Sequence, residues 1–157
     1  MNTECLRIAE QLTETIRGKA GYGSSLQEIL RDVSARQAQT YPIAGVHSIW
    51  QLLYHAERWV KFAIDALDGV PIPAWPGMPQ ELDWPPVTDK SESAWQQTLD
   101  SFFSQHLKLA ERIKAFSDEQ LESTVPGRTY NFYRLFHGTM QHSIYHAGQI
   151  ALLKKFF

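Results

Sequence analysis

Four long stretches of this chain repeat their apolar residues every three or four positions, and no segment alternates convincingly with period two. A chain patterned this way is confined to helices, and its core has to be built by packing helix on helix. Residues 3 to 17 place Leu6, Ala9, Leu12 and Ile16 at helical spacing, and Gly18 follows as a stop. After the loop GKAGYGSS, Ser25 and Glu28 form a capping-box pattern ahead of Ile29, Leu30 and Val33, which predicts a second, shorter helix. A long helix is expected from Val46 to Leu67, closed by Gly69 and Pro71. The third long helix reads as capped by Asp89 and Glu92 and reaches Phe116. Ser117 to Gln120 offer another cap before a brief turn, Pro126-Gly127 breaks the chain, and the last helix runs from Tyr130 to Lys154.

Residues 70 to 88, VPIPAWPGMPQELDWPPVT, carry six prolines and cannot be regular helix. A connection of that length is a crossover or a functional lid, and its two tryptophans, Trp75 and Trp84, mark it as packed on the body. The expected fold is all-α: a four-helix bundle with a long Pro/Trp-rich crossover between the second and third long helices and one short extra helix. A length of 157 residues suits a single domain spanning 1 to 157.

Charge and composition narrow the function classes. The formal net charge is −2 with acids and bases interspersed, which argues against a nucleic-acid surface or an anionic membrane, since both need clustered Lys and Arg. No apolar run approaches the roughly 20 residues of a membrane span. The N-terminus MNTECLRIAEQL lacks a basic head followed by an apolar block, so no secretory signal is read and a cytoplasmic address fits. The one cysteine, Cys5, excludes an intramolecular disulfide and a Cys-rich metal site. It reads as a partly buried helix residue rather than a nucleophile.

The chain has six histidines, and the last helix carries the informative ones. At 100° per residue, Phe132, Leu135, Thr139, His142, His146, Ile150 and Leu153 fall within an arc of about 80°. Two imidazoles thus occupy seam positions where leucine is usual. Residues four apart on a helix touch, and two histidines so placed can converge on one metal. The competing reading is a pair of buried, hydrogen-bonded core histidines, but two neutral rings in an apolar seam need several partners. His55, on the second long helix, sits at the edge of the apolar arc formed by Leu52, Leu53, Ala56, Trp59, Val60 and Ala63. A ligand facing a half-open cleft and a boundary histidine both fit that position.

The remaining histidines divide differently. His106 lies in the seam of Trp95, Leu99, Phe102, Leu109 and Ile113 and has three readings: fourth ligand, partner of a ligand, or core residue. His47 is read as solvated at a helix start, and His137 as outside the site. Glu57 and Asp65 fall on the polar side of their helix and read as solvated charges, leaving no general base. Gln149, one turn past His146, is placed to orient a ligand or a bound water. Tyr145 and Arg134 are candidates for substrate contact, with surface roles as the other reading. A second apolar face of the last helix, Phe136, Met140, Ala147 and Ala151, is expected to pack within the bundle.

The segments GVHSIWQLLYHAERW and LFHGTMQHSIYHAGQIALLKK together resemble the DinB-like metal-binding bundle superfamily. SLQEIL, the Trp- and Pro-rich crossover, SAWQQTLDSF and LESTVPG extend the resemblance over nearly the whole chain, and the HxxxH ending followed by GQI is its most specific part. The resemblance implies three metal ligands, one on the second long helix and two on the last. In this chain these are His55, His142 and His146. It also implies relatives that are thiol S-transferases using low-molecular-weight thiols, thiol-dependent isomerases or metal-dependent hydrolases, and a homodimer.

Three neutral imidazoles suit a divalent transition metal, zinc or nickel foremost and ferrous iron as well, rather than calcium or magnesium. Three protein ligands leave a coordination position open to water or to a substrate thiol, and such an ion lowers the pKa of its water to about 7. The expected function is therefore a metal-dependent thiol transferase or hydrolase acting on a small molecule. A non-catalytic metal-binding or ligand-sensing bundle is the alternative.

Overall fold

The computed structural model describes residues 3–74 and 76–157. Four long helices make the body: α1 (Thr3–Arg17), α4 (Ile49–Leu67), α6 (Glu92–Lys114) and α7 (Phe132–Lys154). Three short ones lie in the connections, α2 (Leu26–Leu30), α3 (Ala35–Ala38) and α5 (Gln80–Asp83), and a 3-10 turn covers Asp118–Glu122. No strand occurs among the described residues; Thr124 and Asn131 form only an isolated bridge. The all-α bundle expected from periodicity is what the chain adopts.

Helix starts follow side-chain chemistry. Ser25, Ser34, Ser48 and Ser117 each close a capping box with the residue three positions on, satisfying backbone N–H groups that a helix start leaves unpaired. The third long helix is not capped by Asp89 and Glu92 as expected. Ser91 is its cap, accepting from Ala94 N, while Asp89 accepts from Ser91 N at 2.9 Å and so shapes the turn before it. Asn131 caps α7 by accepting from Arg134 N.

α1 and α4 each pack on both α6 and α7, which closes a four-membered ring around the core. Contacts fix the directions. Trp50 Nε1 donates to Thr98 Oγ1, Ser101 Oγ to Glu57, and Arg112 to Asp68, so α4 and α6 advance together and are parallel. A parallel neighbour cannot be reached by a tight turn, because the chain must return the length of the helix, about 28 Å for 19 residues at 1.5 Å each. This return is the job of the proline-rich segment. Its anchor is Gly127, whose φ of +75° and close approach to Ile72 O let Ile72 N donate to Pro126 O at 3.1 Å. Of its two tryptophans, Trp84 does pack on the body; Trp75 lies outside the described residues.

The core runs through all four helices and includes Trp50, Trp95, Phe102 and Phe136, each almost wholly enclosed. Phe136, Met140 and Ala147 are buried within the bundle, as their pattern suggested. No helix among the described residues is long and apolar enough to cross a membrane.

Candidate metal centre

α4 runs antiparallel to α7, so that His55 meets both His142 and His146, while Trp59, one turn further along α4, meets His142. The Nε2 atoms of His55 and His146 each lie 3.0 Å from His142 Nε2, and one ligand atom from each ring falls within 4.8 Å of the others. The structure thus brings together the three histidines named from the sequence.

The outer nitrogens fix the tautomers. His55 Nδ1 lies 2.8 Å from Asp83 O and 3.1 Å from Asp83 Oδ1; both are acceptors, so Nδ1 carries the proton and Nε2 the lone pair. His146 Nδ1 donates to Gln149 Oε1 at 2.6 Å, with the same consequence. Two lone pairs therefore face His142 Nε2. One proton there serves one of them and leaves the other unanswered, and His142 Nδ1 is buried without a partner among the described residues. A single divalent cation accepts all three Nε2 lone pairs. Metal–imidazole bonds of about 2.0–2.1 Å place neighbouring nitrogens about 2.9–3.4 Å apart for angles between 90° and 110°, and the observed separations fit.

Electrostatics point the same way. Burial, reinforced by the neighbouring histidines, pushes the His142 pKa down to about 3. Burial takes His146 to about 4 against the opposing Gln149 bond, and it lowers His55 against its bonds to Asp83. All three rings are neutral at pH 7, the state that ligation requires.

His55 is 6% exposed, although its helix pattern placed it at an edge. The crossover covers it. Trp84 stacks flat on the imidazole at 3.9 Å, and Asp83, also held by Trp59 Nε1 at 2.9 Å, clamps Nδ1. Asp83 was not singled out from the sequence, and Trp84 was read only as packing on the body, since no spacing relates residue 83 or 84 to residue 55. The LDW at the end of a proline-rich crossover was the only hint.

Other assignments change. His47 is not a solvated helix start: it is half-buried and stacks on the far face of Trp84 at 3.6 Å. Glu57 is not a solvated charge but 5% exposed, accepting from Ser101 Oγ at 2.6 Å and pairing with Lys61, because α6 packs on the face that looked polar. Asp65 is exposed as expected. His106 is a core residue, fully buried, with Nδ1 donating to Phe102 O at 2.7 Å and Nε2 facing Ser143 Oγ at 3.1 Å. It stays outside the ligand cluster. Cys5 is fully buried, its thiol pushed up to about 12 by burial and by Asp118, and is no nucleophile.

The triad stands in a cleft of about 1090 Å³. Arg134, Tyr145 and His137 line it with Trp59 and Trp84. His137 therefore lies outside the ligand set but not outside the cavity. Among known families, the model of the DinB superfamily matches residues 23–150. No curated protein and no solved structure matches the chain.

Proposed function

The chain belongs to the DinB superfamily, and on that premise we propose that it is a metal-dependent enzyme transferring the sulfur of a low-molecular-weight thiol to a carbon electrophile bound in the cleft. The observation that carries this reading is the convergence of three Nε2 lone pairs, two of them fixed by outer hydrogen bonds, at the wall of a large cleft. His55, His142 and His146 would hold the ion, zinc or nickel foremost. A divalent ion with three protein ligands supplies an open position where a thiol loses its proton near neutral pH.

The chain's own residues supply binding and orientation. Asp83 and Gln149 hold two of the rings in the ligating tautomer, Trp84 keeps water off His55, and the aromatic walls take the apolar part of the acceptor. In the transfer a carbon–sulfur bond forms, the leaving group departs with the electron pair of the bond that breaks, and the thiol proton passes to solvent. Hydrolysis places a further demand, because a poor leaving group needs a proton donor. Asp83, the carboxylate among the described residues that line the cleft, is already committed to His55 and Trp59. Proton donation would then fall to the cleft tyrosines, whereas thiol transfer to an acceptor with a good leaving group needs no such donor, and on that ground we favour it.

Natively purified protein should hold one transition metal ion per chain, and conjugation of a thiol to an aryl or alkyl halide should require it. His146→Ala should abolish both with the helical content unchanged. Turnover without added thiol would replace this reading with a hydrolase. Stoichiometric metal with no turnover across thiols, esters and amides would leave a ligand-binding module. Light scattering would test the homodimer that belongs to the same reading.

A further inference from the structure

The cleft reaches well beyond the metal centre. Along α7, His142 is eight residues from Arg134, a rise of about 12 Å. Between them lies Gly138, where an added Cβ would meet no atom within 4 Å, so bare helix backbone forms part of the cleft surface. Trp59, Trp84, Tyr130, Tyr133 and Tyr145 line the cavity.

Among the described residues, two charged ones line the same cavity, Asp83 and Arg134. Asp83 is spent on His55 Nδ1 and Trp59 Nε1. Arg134 pairs with no carboxylate among the described residues; its guanidinium stands 5.8 Å from the centre of the Tyr130 ring. His137, between Arg134 and the triad along the helix, also lines the cavity, with its Nε2 turned away from solvent. An uncompensated cation at one end, aromatic walls, and a ligand cluster at the other describe an elongated amphiphile with a negative end.

We propose that the molecule bound in this cleft is an apolar carboxylate, its carboxylate held by Arg134 and its aryl or alkyl body lying across α7 toward the three histidines. A planar guanidinium matches a carboxylate with two parallel hydrogen bonds, which neutral isosteres cannot reproduce. The proposal rests on the reading that the triad is the reacting end, but its test needs no turnover.

Metal-free protein is titrated with 6-phenylhexanoate and with 6-phenylhexanamide, following binding by calorimetry and by quenching of tryptophan fluorescence. The acid should bind about tenfold more tightly than the amide, the gain of one charge-assisted contact. Arg134→Gln, at an exposed position, should bring the two to parity, with the larger loss on the acid. Parity in the unsubstituted protein, a preference that survives Arg134→Gln, or no binding of either probe would overturn the proposal. The titrations are repeated with zinc. A preference that appears only with the metal and persists in Arg134→Gln places the carboxylate on the ion and also overturns it. Zinc uptake measured in parallel separates the two readings: failure to bind zinc removes the metal-dependent function and leaves the carboxylate site standing, whereas full uptake with acid–amide parity removes only the latter.

Discussion

At His106 the imidazole is enclosed on all sides, and burial lowers its pKa to about 4. In the unfolded chain the same ring titrates near 6.5. Between those values the unfolded state binds a proton that the native state refuses, so the ring's contribution is present above pH 6.5 and lost as pH falls toward 4. Each such group contributes a slope of up to about 1.4 kcal/mol per pH unit. His55, His142 and His146 are shifted in the same direction, so metal-free protein should lose stability steeply over this window. Urea unfolding at several pH values measures the slope, and His106→Leu should make it shallower by about one proton. An unchanged slope in that variant would mean the ring is solvated in the native state. Glu57 shows why such environments escape a reading of periodicity. Its angular position is polar, yet a neighbouring helix covers it, and which helix does so is a matter of bundle order.

Within single elements the sequence is more readable. The capping boxes at Ser25 and Ser117 and the seams of α6 and α7 are local, set by residues three and four apart, and they appear where the pattern put them. His142 and His146 share α7 and were legible as a pair for the same reason. His55 was legible mainly through resemblance, because its meeting with α7 depends on the register of two helices whose contacting residues are 87 apart in sequence. α3, four residues long, was too short to show a period. The crossover is the element where local signals end, and its pinning at Gly127 makes a direct prediction. Gly127→Ala meets both a left-handed φ and Ile72 O at 2.9 Å, and should lower stability by about 2 kcal/mol or more. Gly69→Ala, with φ +82° but open space around it, should lose only about 1 kcal/mol. Equal losses in chemical denaturation would show that the close approach carries no weight.

For the molecule as a whole, the triad is where three separate segments are tied: α4, α7 and, through Asp83 and Trp84, the crossover. Ligation of a metal there would therefore link the long return connection to the bundle's antiparallel face. A ligand that binds only the native state stabilises it by mass action, about 2.7 kcal/mol at one hundred times its dissociation constant. Zinc added to metal-free protein should raise the melting temperature accordingly, and His146→Ala should cancel the rise. The same linkage should be visible locally. With metal present, amide exchange should slow at residues 80 to 84, because His55 can no longer tilt away from the Asp83 carbonyl that orients it. Asp83→Ala keeps that carbonyl but removes the carboxylate shared by His55 and Trp59, and should weaken zinc affinity by about tenfold. The tie is to the crossover only if both measurements move. A metal-dependent melting temperature with exchange at 80 to 84 unchanged would confine the effect to α4 and α7, and the proline-rich segment would then be a passive cover over a site that two helices build alone.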